Sequence, residues 1–309
     1  MALDVESVGI LFPGQGAQAV GMGTWLCEHY PEARRRFDAA SEVLGYDLAN
    51  LCSEGPAEKL NATEFCQPAL FVVGIAAADV LALQRPGLIA SVKSTAGLSL
   101  GEYTSVCFAG GMKFEDAVAV VQRRGEAMQA ASDVVKSGMA SVVGLDLEKL
   151  QAVCDEARQE DEVLRPANLL CPGNIAISGH LSAIDRVEPI AEKAGAMKVI
   201  RLTVAGAFHT SLMQSAVEKL AAALDAVEMV DTRIPVYSNV DGLPHTKASE
   251  IKDLLSRQVV NPVLWEASIR KMMDDGIEGF MEAGTGRILQ GTLKRIHRKT
   301  PSEGFGDGP

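Results

Sequence analysis

Thr95-Ala96-Gly97-Leu98-Ser99-Leu100-Gly101-Glu102-Tyr103 decides how the chain is read. It contains one G-x-S-x-G, Gly97 to Gly101, after an apolar run that predicts a strand from Ala90 to Ala96 and before a helix-compatible run from Leu100 to Phe108. That is the layout of a nucleophile elbow, in which a serine stands on a sharp strand-to-helix turn and small neighbours make the turn possible. The hydroxyl then sits at a helix N-terminus, where main-chain N–H groups can hold a developing oxyanion. An ordinary glycine-rich turn fits the same five residues. The surrounding chain must decide between them.

At 309 residues the chain can bury a large core, and 47% hydrophobic with only 5% aromatic residues fits an Ala/Val/Leu-rich α/β protein. No apolar run reads as membrane-spanning, the acidic start Met1 to Glu6 does not read as a leader, and a cytoplasmic location is expected. The six cysteines are scattered without a C-x-x-C pair, so reduced, buried thiols are expected and a metal site is not. A net charge of −11 argues against nucleic acid. An anionic substrate or acidic partner would therefore need a local basic patch. Arg34-Arg35-Arg36, Arg123-Arg124 and the set Lys294, Arg295, Arg298 and Lys299 are the candidates, against the alternative of solvated helix faces.

Around the elbow, Val8 to Phe12 reads as a strand that runs into Pro13-Gly14-Gln15-Gly16-Ala17-Gln18, with a helix from about Ala19. Gly14-x-Gly16-x-x-Ala19 formally fits the dinucleotide fingerprint, but the acidic strand end expected about twenty residues on is missing; Pro31 to Leu44 is helical in pattern. In the helix Phe114 to Gln129, Arg124 lies at the edge of an apolar stripe, where a guanidinium is costly without an anion. Either Glu102 pairs with it internally, or it is a bidentate receptor for a substrate carboxylate. From 131 to 199 the pattern becomes β-α-β-β-α-β, which predicts a small ferredoxin-like domain inserted into a large α/β domain made of 1–130 and 200–309. His209 then precedes a regular amphipathic helix; it is the best candidate base, kept neutral by the helix N-terminus, although a lone histidine is more often structural. Ile234 to Asn239 and Gly279 to Glu282 read as strands, Thr285 to Arg298 as the last helix, and Ser302 to Pro309 as disordered.

Taken in order, Phe12 to Gln18, Gln67-Pro68-Ala69-Leu70, Gly97 to Tyr103, Arg124 to Gln129, Gly206-Ala207-Phe208-His209 and Gln258 to Val263 resemble the malonyl-CoA:acyl-carrier-protein transacylases of dissociated fatty acid synthesis. The resemblance spans about Gly9 to His297. It implies a large α/β-hydrolase-like domain with a mostly parallel sheet. It implies Ser99 as nucleophile, His209 as base and the main-chain carbonyl of Gln258 as the base's partner. Gln15 and Leu100 would supply oxyanion N–H groups, Arg124 would hold the malonyl carboxylate, and Phe208, Met128 and Asn168 would line the substrate site. The partners implied are malonyl-CoA and acyl carrier protein; no cofactor is permanently bound, and a monomer is expected. Leu98 and Leu170 depart from the histidine and second asparagine that many relatives carry. The rival readings are a serine esterase or thioesterase, an acyltransferase that loads polyketide carriers, and a non-catalytic scaffold.

Overall fold

The computed structural model describes residue 3 and residues 5–308. Two sheets carry the chain. The larger is built from β1 (Val8–Phe12), β2 (Val92–Gly97), β7 (Val236–Tyr237), β8 (Pro244–His245), β9 (Gly279–Ala283) and β10 (Ser302–Phe305), in the order β10-β9-β1-β2-β7-β8. All neighbours run parallel except β8, which pairs antiparallel with β7. The smaller is built from β3 (Ser137–Val143), β4 (Leu164–Cys171), β5 (Asn174–His180) and β6 (Lys198–Arg201), antiparallel throughout, in the order β4-β5-β3-β6.

The β1 run Val-Gly-Ile-Leu-Phe is buried at every position, as a parallel strand covered on both faces should be. Its alternation splits the core. Val8, Ile10 and Phe12 face the main cluster, and Leu11 faces a second one with Trp265, Ile269 and Leu289. The long helix Thr63–Gln84 fills the main cluster, packed behind helix Phe114–Ser132. This corrects one expectation: by length and composition Thr63–Gln84 could cross a bilayer, yet most of its side chains are buried inside the protein.

The strand expected from Ala90 begins at Val92, because Pro86–Ala90 is helical, and four other boundaries moved, each for a local reason. The helix expected from Ala19 begins at Thr24, because Gly21 and Gly23 adopt positive φ and turn the chain first. The strand expected over Ile234 to Asn239 keeps only Val236–Tyr237; Ser238 enters the turn to Leu243, and Asn239 bonds the elbow region. The last helix is Ile288–Ile296, and the Glu282 carboxylate accepts the N–H groups of Leu289 and Gln290 at its start. Finally, the tail is not disordered through its described residues. Ser302–Phe305 pairs in parallel with β9, Glu303 bonds Arg85, and the Phe305 ring stands edge-on to Trp25 at 6.0 Å. Main-chain pairing needs no apolar composition, which is why a Gly- and Ser-rich segment can be ordered here. Pro309 lies outside the described residues.

The two sheets meet at Val263. Its N–H donates to Ala167 at 2.7 Å and its carbonyl accepts from Leu169 at 2.9 Å, so the chain just after Gln258 is stitched to the edge of β4.

Candidate active site

β1 and β2 are adjacent and parallel, so the turns after them leave the same end of the sheet side by side. Open α/β sheets bind ligands at that carboxyl end. Glycines permit the contact. A Cβ on Gly97 would lie 1.9 Å from the Gly101 main chain, and one on Gly101 would lie 2.1 Å from the Phe12 carbonyl oxygen. Between them Ser99 takes φ 51° and ψ −102°, a conformation that costs a non-glycine residue about 1–3 kcal/mol and so must be held from outside.

Asn239 holds it. Its Oδ1 accepts the Ser99 N–H at 2.7 Å and its Nδ2 donates to the Gly97 carbonyl at 2.8 Å, clamping the elbow on both sides. Nothing in the sequence singled out Asn239; it sits 140 positions from Ser99 at the end of a short strand.

The Ser99 hydroxyl lies 2.9 Å from His209 Nε2. The other ring nitrogen, Nδ1, lies 3.0 Å from the Gln258 carbonyl and 3.2 Å from the Asn261 carbonyl. Two acceptors require the proton on Nδ1, which leaves Nε2 as the acceptor facing Ser99. His209 also has positive φ, 63°, and its own N–H donates to Val259. Burial, and next the charge of Arg124, push its pKa down to about 4, against the opposing pull of the two carbonyls. The expected helix-terminus effect is not what keeps the ring neutral: a 3-10 turn, Ser211–Met213, separates His209 from the helix that starts at Gln214.

Arg124 is 1% exposed, so it lies inside the protein and not at the edge of a stripe. Nη1 donates to Gln67 Oε1 at 2.6 Å; Nη2 donates to Gln258 Oε1 at 2.8 Å and to Ser99 Oγ at 3.0 Å. The guanidinium stacks over the Tyr103 ring at 5.1 Å, and Nε is buried without a partner among the described residues. Glu102, the expected ion-pair partner, makes no salt bridge to it among the described residues. Its Oε2 accepts from Gln258 Nε2 at 2.6 Å and from the Asn239 N–H at 3.1 Å. The reason is geometric: the Gln258 amide lies between the two charges, bonded to both. Burial depresses the pKa of Arg124 and raises that of Glu102 to about 7, the latter partly offset by the hydrogen bonds from Gln258, Asn239 and Ser238 and by Arg124.

The remaining candidates surround this centre. The main-chain N–H groups of Gln15 and Leu100 donate to nothing among the described residues, while the Gln15 side chain reaches Thr63 Oγ1 at 3.4 Å. Met128 Sδ accepts from Gln67 Nε2 at 3.5 Å, so Met128 supports the residue that supports Arg124. Phe208 is buried in the main core and its carbonyl accepts from Ser178 at 2.7 Å, tying the histidine loop to the small sheet. Asn168 lies at the β4 edge opposite Val263, with Oδ1 buried and unpaired. Leu98 and Leu170 pack in one apolar cluster with Val263 and Leu289, so the two departures form a single local environment. Of the basic candidates, Arg34, Arg35, Arg36 and Arg123 pair with acids, whereas Lys294, Arg295, Arg298 and Lys299 are exposed and make no salt bridge among the described residues.

The arrangement can activate a serine next to a buried base and a fixed, buried cation. Comparison with known proteins places that chemistry. The acyl transferase domain family matches residues 10–303. A malonyl CoA-acyl carrier protein transacylase of Bacillus subtilis is 40% identical over 295 residues, covering 96% of this chain and 92% of that protein. The chain belongs to the malonyl-CoA:acyl carrier protein transacylase family. The solved acyl carrier protein S-malonyltransferase of Vibrio cholerae superposes with a TM-score of 0.90 at 37% identity, covering 97% of each chain. A malonyl-transacylase solved in complex with its type II PKS acyl-carrier protein superposes with a TM-score of 0.93 at 34% identity, over 97% of this chain and 96% of that one. Family membership excludes the non-catalytic scaffold as the simplest reading and agrees with the α/β fold and its mixed sheet.

Proposed function

We propose that this protein transfers a malonyl group from malonyl-CoA to the pantetheine thiol of an acyl carrier protein through a malonyl-serine intermediate, supplying fatty acid elongation. The observation that carries the reading is Arg124: a buried guanidinium bonded to the nucleophile's own oxygen, with no carboxylate on it among the described residues. A serine esterase for neutral acyl groups has no use for that cation.

In the first half-reaction His209 Nε2 takes the Ser99 proton as Oγ attacks the thioester carbonyl. The Gln15 and Leu100 N–H groups face the developing oxyanion. The C–S bond breaks, the imidazolium returns its proton to the CoA sulfur, and the malonyl ester of Ser99 remains. In the second half the carrier thiol gives its proton to His209, its sulfur attacks the ester, and Ser99 leaves with that proton. The exchange is nearly balanced in energy, so exclusion of water decides between transfer and hydrolysis. A malonyl carboxylate on Arg124 also offsets the charge that depresses His209, which makes the ring a stronger base when the right acyl group is present. CoA enters as part of the substrate, and the mechanism uses no resident cofactor.

For the architecture we infer two units. The parallel sheet carrying the elbow, from 1–130 and 200–309, is hydrolase-like; residues 131–199 form an inserted ferredoxin-like unit. The β-α-β-β-α-β order and the strand arrangement β4-β5-β3-β6 support this. In this reading Asn168, at the edge of β4, and Phe208, beside the base, contact the acyl group and the pantetheine arm. The solved complex of a relative with a type II PKS carrier keeps polyketide loading as a second reading of the same chemistry.

The test is intact-protein mass after brief mixing with malonyl-CoA. A malonyl-sized gain on the wild type that is absent from Ser99→Ala is expected; no gain on folded wild type refutes the reading.

A further inference from the structure

We propose that Glu102 is the countercharge that positions Arg124 through the Gln258 amide, and that it takes up a proton from solvent when a carboxylate-bearing acyl group occupies Arg124. This rests on the transacylase reading above and adds a residue to it that acts without touching substrate.

The geometry is a relay. Glu102 Oε2 accepts from Gln258 Nε2 at 2.6 Å, and Gln258 Oε1 accepts from Arg124 Nη2 at 2.8 Å. An amide has one donating end and one accepting end, and here both ends specify the same orientation. Turned over, its NH2 would face the guanidinium and its oxygen the carboxylate, so each contact would become repulsive. Gln258 Nε2 also donates to the Ser99 carbonyl at 2.9 Å, and the Gln258 main-chain carbonyl accepts the hydrogen bond from His209 Nδ1–H. One residue therefore links the nucleophile, the base and the cation, the base through its main chain and the other two through its side chain, and Glu102 sets which way the amide faces.

The charge balance follows. Arg124 and Glu102 are both at most 2% exposed, and His209 is neutral, so once the pH is above about 7 the site carries one positive charge and, on most molecules, one negative charge. The groups facing Glu102 are Arg124 from helix Phe114–Ser132, Gln258 from helix Ala248–Gln258, Ser238 and Asn239 beyond β7, and Tyr103 beside it. None of them is a second anion at neutral pH, because burial and Glu102 hold the Tyr103 phenol above its usual range. A malonyl carboxylate on Arg124 brings a second negative charge into the same low-dielectric space, and two buried carboxylates sharing one cation push one of them to protonate. Glu102 is poised to be that one, at about 7 before the substrate arrives. His209 faces the same guanidinium but starts at about 4, well below the neutral range, so it stays unprotonated there.

The test uses Ser99→Ala protein, in which acyl transfer cannot occur, and calorimetric titration near pH 7.5 in two buffers of different ionisation enthalpy. Malonyl-CoA should bind with uptake of about half a proton, the gain expected when a carboxylate at about 7 rises by roughly one unit. Acetyl-CoA should bind with little or no uptake, and the Ser99→Ala/Glu102→Gln protein should show none with either. Malonyl-CoA affinity should also weaken as pH rises through the neutral range in the first protein and stay flat in the second. Equal uptake with malonyl- and acetyl-CoA, or uptake unchanged by Glu102→Gln, would overturn the proposal. The acetyl comparison keeps the test decisive if the double variant does not fold. Wild-type protein run alongside separates the two layers: malonylation without proton uptake removes only this inference, whereas no malonylation and no binding remove the transacylase reading with it.

Discussion

Arg124→Ala removes a cation that makes three hydrogen bonds and one aromatic stack inside the protein. Its partners among the described residues are neutral amides and a hydroxyl, so an incoming carboxylate would give the guanidinium a direct ion pair that none of those residues supplies. Truncating one member of a buried, hydrogen-bonded charge pair costs about 3–5 kcal/mol, which corresponds to a loss on the order of 10²–10⁴-fold in kcat/KM for malonyl-CoA. Acetyl-CoA offers no carboxylate. For it, only the bond to Ser99 Oγ and the Gln258 orientation are lost, a penalty of about 1 kcal/mol or roughly fivefold to tenfold. The malonyl-to-acetyl preference should therefore fall by on the order of 10²-fold. The assay is a quenched time course of Ser99 acylation, followed by intact mass with each thioester. Arg124→Met serves as a second variant that keeps the side-chain volume and the packing on Tyr103. Equal losses for both acyl groups in both variants would reduce Arg124 to a structural residue and refute the argument.

Three further outcomes are expected. Asn239→Ala should orphan the Ser99 N–H and the Gly97 carbonyl and destabilise the protein by about 2–4 kcal/mol; denaturant unfolding reads the stability, acylation should fall with it, and an unchanged midpoint with full activity would refute the clamp. Because His209 is depressed to about 4, the acid limb of acylation should lie well below the usual histidine range, and Arg124→Met should move it upward. The sign for stability agrees: between about 4 and the ordinary value of 6.5 the unfolded chain binds a proton that the folded ring refuses, so this contribution is lost as pH falls through that window. An acid limb near 6.5 in the wild type would contradict it. Reversing Lys294, Arg295 and Arg298 to Glu should slow transfer to an acidic carrier protein while leaving acylation by malonyl-CoA unchanged, as a docking role for this unpaired cluster requires; unchanged transfer would dismiss the patch.

The sequence by itself determined the elements whose information is local. Gly97, Ser99 and Gly101 are legible as an elbow because the turn's steric demands fall on five consecutive residues. The fully apolar β1 and the β-α-β-β-α-β pattern are legible because burial and periodicity are written along the chain. Arg124 stood out as a charge on an apolar helix, and His209 as a histidine at the start of one. What only the tertiary structure decided is what joins these segments. Whether Arg124 pairs with Glu102 depends on where Gln258 lies, more than 130 residues away, and its amide separates the two charges. The strain at Ser99 is held by Asn239, whose surroundings in sequence give no sign of it, because the hydrogen bonds that matter cross from one strand end to another. The tail is ordered by main-chain pairing with β9, a bond that composition cannot register. A side chain's chemistry is fixed by its type, but its partner, its burial and hence its charge are set by which strands the fold brings side by side.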